Sequence, residues 1–140
     1  MESWRGEVTA LIHIPPRGLS TAAVYGRVDP SALTGDRRRF SILLARWGDG
    51  DLRRLGAALF NDLEGAAFAL NPGLAAVKDA LRAEGAAGAL LCGSGSSVVG
   101  LFADPAAAGR AERVLRGRFP GRFVRTRFLG SRKRWGVVKR

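Results

Sequence analysis

A chain of 140 residues has room for one domain and excludes a second full one. With 46% hydrophobic and 25% charged residues it can build a core without disulfide or metal staples, which excludes the intrinsically disordered class. The formal charge of +11 is not spread evenly: residues 1–109 carry 11 basic against 11 acidic side chains, and residues 110–140 carry 12 against one, so any long-range pull on a polyanion belongs to the C-terminal segment.

In chain order, Glu7 to Ile14 is rich in β-branched and aliphatic residues and stops at Pro15-Pro16, which predicts a strand running into a loop. Ser20 and Thr21 cap a short helix through Val24 and Tyr25 that ends near Gly26. Residues 29–39, with Pro30, Gly35 and the run Arg37-Arg38-Arg39, show no period and are expected to form a surface loop. Phe40 to Trp47 is predicted helical and closed by Gly48-Asp49-Gly50. Asp51 caps the next helix, whose Leu52, Leu55 and Leu59 share one face.

Asn61 and Glu64 have the spacing of a capping box, so a further helix is expected to bury Leu63, Ala67 and Leu70. Asn71-Pro72 opens another, running through Val77 and Leu81 to Gly85. The uncharged run Gly85 to Ala103 is long enough to span a bilayer, but its Gly/Ser centre suits two short strands and a turn, so no membrane segment is expected. Asp104-Pro105 starts a last helix with Ala108, Val114 and Leu115 on its buried side. Phe123 to Leu129 reads as a final strand with Val124, Thr126 and Phe128 on one face and Arg125 and Arg127 on the other. The order strand, helices, strand, strand, helix, strand predicts an α+β ferredoxin-like sandwich: a four-stranded, mostly antiparallel sheet covered on one face by helices.

One cysteine, Cys92, excludes an intrachain disulfide, and with one histidine, His13, in an unrelated segment it makes no metal site. A reducing cytoplasm and the absence of a secretory signal at the start fit these counts. No convergent pair of acids is visible, so no catalytic residue is assigned, and His13 is expected to be packed or exposed at its strand end. The loop Gly93-Ser94-Gly95-Ser96-Ser97 is the segment best suited to a ligand, because glycines let backbone amides turn inward toward a phosphate. It lacks the lysine and the strand-to-helix order of a Walker A loop.

The run AAGALLCGSGSSVVGLF over Ala86 to Phe102, preceded by FNDLEGAAFALNPGL, resembles the C-terminal half of the GHMP small-molecule kinases. The likeness runs in order from about Leu11 to Ala103 and begins with HIPPRGLSTAAVY. Within that family it is most similar to the branch acting on 4-diphosphocytidyl-2-C-methyl-D-erythritol in isoprenoid precursor synthesis. The resemblance implies a GHMP kinase C-terminal-like domain over residues 1–130, with a basic tail expected to be flexible at 131–140. It implies substrate-binding roles for Thr21 and Tyr25, Tyr25 stacking on the cytosine, and for Gly93, Ser94 and Gly95 along the substrate and phosphate cleft. Cys92 stands where the family usually has Ser or Thr.

It also implies a cytidine-diphosphate substrate, with ATP and Mg²⁺ bound mainly by an N-terminal half. That half carries the family's glycine-rich ATP loop and its catalytic lysine and aspartate, none of which is matched in residues 1–140. This chain alone is therefore expected not to catalyse. A second reading is a basic module for RNA or DNA, with Phe119, Phe123, Phe128 and Trp135 among the arginines; against it, Phe123 and Phe128 are needed as core.

Overall fold

A computed structural model describes residues 8–33, 35 and 37–128. Four strands, β1 (Val8–Ile14), β2 (Gly88–Leu91), β3 (Val98–Phe102) and β4 (Arg122–Phe128), form one sheet in the order β2-β3-β1-β4. Every neighbouring pair is antiparallel. Among the described residues six α-helices connect them: α1 (Thr21–Gly26), α2 (Arg37–Asp49), α3 (Leu52–Ala58), α4 (Glu64–Leu70), α5 (Pro72–Ala83) and α6 (Pro105–Arg116). This is the α+β sandwich that the sequence order implies.

The alternation of each strand sorts its residues between two faces. Leu11, Leu91, Val98, Phe102 and Phe123 face α5 and α6 and form the main core with Val24, Leu74, Leu81 and Leu115. Fully burying each such aliphatic side chain stabilises the fold by roughly 1.5–3 kcal/mol. The opposite face carries a smaller cluster in which Val8, Ala10 and Leu101 meet Leu55 of α3. Leu43 of α2 packs against it, so a second, partial helical layer adds to the expected one.

The helix starts follow local chemistry. The side chains of Ser20, Asp51, Asn71 and Asp104 each accept a backbone N–H in the first turn of α1, α3, α5 and α6. Pro72 and Pro105 occupy first-turn positions where a missing N–H costs nothing.

Several expectations need correction. The Arg37-Arg38-Arg39 run is the first turn of α2 and not loop, because arginine is a good helix former and Leu43 anchors the helix that follows. Val114 is 43% exposed, since α6 buries Ala108, Ala111, Glu112 and Leu115 and leaves Val114 off that stripe. On β4 the covered face is that of Phe123 and Arg125, and Val124 on the other is 41% exposed. The expected burial of Phe128, the residues Glu7 and Leu129, and the tail 131–140 lie outside the described side chains.

Candidate functional site

Pro15-Pro16 ends β1, and the chain then passes the β2–β3 hairpin loop before turning into α1. The approach is close. A Cβ on Gly18 would sit 3.3 Å from Ser96 Oγ, and one on Gly95 would sit 3.3 Å from Leu19 Cδ1. Ser20 accepts the Ala23 N–H at 3.3 Å and so starts α1 at this point. Val24 is fully buried and fixes the helix to the core, which turns Tyr25 outward at 57% exposure. One turn earlier, Thr21 Oγ1 lies 3.1 Å from Ser94 Oγ, joining the helix to the loop.

The loop is a tight hairpin. The Cys92 N–H donates to Ser97 O at 2.9 Å and the Gly95 N–H to Cys92 O at 3.1 Å. Gly93 (φ +58°) and Gly95 (φ +109°) take left-handed backbone that other residues rarely adopt. Apart from its own chain neighbours, no described atom lies within 4 Å of where a Cβ on Gly93 would be, so this backbone stands open to a ligand. Cys92 is exposed as a residue, yet partial desolvation of its sulfur pushes the thiol's pKa up from its ordinary value.

Two residues read from sequence as a helix cap hold this loop instead. The Asn61 side-chain amide donates to Leu91 O at 2.9 Å and to Gly93 O at 2.7 Å, while its Oδ1 accepts the Leu63 N–H. Glu64 does not return to Asn61. It accepts the Leu91 N–H at 3.0 Å and pairs with Lys78 Nζ at 2.7 Å. The capping-box expectation fails because both side chains meet better partners on β2, the loop after it and α5, and α4 begins after Leu63 with no side-chain cap. Local spacing carried no signal for partners some thirty residues away.

Of the two placements expected for His13, packed or exposed, the structure has the packed one. Its Nε2–H donates to Pro120 O at 2.8 Å and its ring lies against Phe123 at 4.8 Å between centroids. Thr21, Tyr25, Gly93, Ser94 and Gly95 thus fall on two adjoining segments, α1 and the hairpin loop. Together they offer an exposed aromatic face, paired hydroxyls and open backbone, a set suited to binding and orienting a polar ligand. Among the described residues no group of three or more His, Cys, Asp or Glu side chains could hold a metal.

A βαββαβ sandwich with a Gly-Ser hairpin loop beside a short helix defines the class. Residues 41–121 match the family described as GHMP kinases C terminal, more than half of the chain, and the chain belongs to that family. It is similar to the 4-diphosphocytidyl-2-C-methyl-D-erythritol kinase of Solidesulfovibrio magneticus, 36% identical over 118 residues, covering 82% of this chain and 40% of that protein. The enzyme of the same name from Kineococcus radiotolerans is 41% identical over 113 residues, covering 78% and 35%. A crystal structure of 4-(cytidine 5'-diphospho)-2C-methyl-D-erythritol kinase superposes with a TM-score of 0.71 at 33% identity, covering 86% of this chain and 42% of that one. The chain therefore matches about two fifths of the length of these relatives, between 35% and 42%.

Proposed function

We propose that this chain supplies the substrate-binding C-terminal half of an ATP-dependent kinase that phosphorylates an alcohol of 4-diphosphocytidyl-2-C-methyl-D-erythritol, on the way to isoprenoid precursors. The observation that carries the reading is the pairing of an exposed Tyr25 with the Thr21–Ser94 hydroxyl contact at the open glycine loop. In it, Tyr25 stacks on the cytosine and Thr21 hydrogen-bonds the cytidine end. An aromatic face one turn from a hydroxyl suits a pyrimidine. An aromatic at a helical position is often core, and the exposure of Tyr25 speaks against that for this residue.

Gly93 and Gly95 let backbone approach the diphosphate, with Ser94 Oγ as a further partner. ATP supplies the phosphoryl group; the open backbone at Gly93 fits one wall of a phosphate cleft, and this half's task is to bind and orient the acceptor. Among the described residues no group of three or more His, Cys, Asp or Glu could cage a metal by itself, and no step here is routed through Mg²⁺. In this reading its ligands, the ATP loop and the phosphoryl-transfer groups belong to the N-terminal half.

Replacing Tyr25 by Ala tests the reading. Because the ring is exposed, the fold should survive, while the affinity of the chain for a cytidine diphosphate ligand, followed by calorimetry, should fall by about 1–3 kcal/mol, the scale of one base–aromatic stack. Unchanged affinity in a folded variant would remove Tyr25 from the site.

A further inference from the structure

The arginines of the C-terminal segment are organised around a groove at the far edge of the sheet from the hairpin loop. Arg110, Arg113 and Arg116 recur every third residue along α6 and all are exposed. Arg125 rises from the covered face of β4 opposite Leu11, and its guanidinium lies over Gly109, where a Cβ would come within 3.2 Å of Nη1. Glu112, only 9% exposed, holds two of these side chains at once, Arg125 Nε at 2.6 Å and Arg116 Nη2 at 2.8 Å. Together they line an open groove of about 580 Å³, and Glu112 is the one acid among the described residues that line it. Four guanidiniums against one carboxylate leave it strongly positive.

A general preference for arginine does not explain this placement, because residues 1–109 balance every basic residue with an acidic one. Stability accounts for only two of them: the nearly buried Glu112 carboxylate needs Arg116 and Arg125, whereas Arg110 and Arg113 are exposed and add like charge that repels. We propose that the groove binds the phosphodiester backbone of a nucleic acid, without reading its sequence. Guanidinium forks match phosphate oxygens in paired hydrogen bonds, and Glu112 orients two of the forks in advance. The row from Arg110 to Arg116 spans about 9 Å at the helical rise. Arg125 and Arg127, two residues apart on one face of β4, add a second row of about 7 Å. Such rows exceed one phosphate and suit consecutive ones. No aromatic side chain is among the described residues that line the groove, which leaves phosphate contact as its mode of binding.

The test uses the full chain and fluorescence anisotropy with a labelled 12-nucleotide single-stranded RNA in 50 and 200 mM salt. The double variant Arg110→Ala/Arg113→Ala should weaken binding about tenfold or more and flatten the slope of log K against log salt by roughly 1.4, two contacts at about 0.7 each for a single strand. Arg53→Ala/Arg54→Ala on α3 removes the same charge from an exposed face elsewhere and should change binding less than twofold. Arg110→Lys/Arg113→Lys should recover the salt slope while binding stays weaker than wild type, because the charge returns without the fork. Equal losses in the groove and α3 variants, loss confined to an Arg132→Ala/Arg134→Ala variant, or full competition by pyrophosphate at the same phosphate concentration would each overturn the proposal. Cytidine-ligand affinity, measured alongside, should not respond to the groove variants, so this proposal and the kinase reading can fail separately.

Discussion

Asn61 shows how one side chain can hold a loop some thirty residues away in sequence. Its amide donates to two carbonyls of the β2 end, Leu91 O and Gly93 O, while Glu64 takes the Leu91 N–H and the Lys78 ammonium. Asn61→Ala leaves those carbonyls without a donor, and a loss of about 1–3 kcal/mol in urea unfolding is expected. Faster amide exchange at Cys92 and Gly95 should accompany it. Asn61→Asp should be worse at neutral pH, since a carboxylate would face two carbonyl oxygens. Glu64→Gln keeps an acceptor for Leu91 and loses only the ion pair, so it should cost less than Glu64→Ala. A helix start with equal cost in all four variants would mean that these side chains act as caps after all.

Between elements, the tightest constraint lies where α3 crosses β2. A Cβ on Gly88 would come 2.6 Å from the Gly56 Cα, and one on Gly56 would collide with the Ala87 carbonyl. Backbone meets backbone there and neither side can yield. Gly56→Ala should therefore lower stability by about 1–3 kcal/mol or more through overpacking. Gly65 is an exposed helical glycine with nothing within 4 Å of its missing Cβ, and Gly65→Ala should raise stability by roughly 0.5–1 kcal/mol. Thermal unfolding of the two variants gives opposite signs if the packing is as described. Sequence made most elements legible because their signals are local: the caps at Ser20, Asp51, Asn71 and Asp104, the prolines after the last two, and the period change at Ala86. It failed where tertiary contact decides. Arg37–Arg39 joined a helix whose anchor is Leu43 on the second face, and the side of β4 that is covered depends on α6 and Glu112, which no strand period reveals.

At the scale of the whole molecule, two regions of different character sit at opposite edges of one sheet. The neutral body carries α1 and the Gly-Ser loop beside β2 and β3, and the basic segment builds the arginine groove on α6 and β4. Of the first region, the loop was visible in sequence as flexible, phosphate-friendly backbone, and Tyr25 only through family resemblance, because an aromatic at a helical position reads equally well as core until its exposure is known. Supplying an N-terminal half from a relative should be needed for phosphoryl transfer; this chain by itself should bind the acceptor and release no ADP from ATP.

The measurement that bears most directly on the central claim is titration of the chain with a cytidine diphosphate ligand at low and high salt, with Tyr25→Ala alongside. Saturable binding that tolerates salt and weakens in the variant is the predicted result, since stacking and neutral hydrogen bonds are little screened. Binding that vanishes with salt, or that ignores Tyr25, would contradict a cytidine site between α1 and the glycine loop.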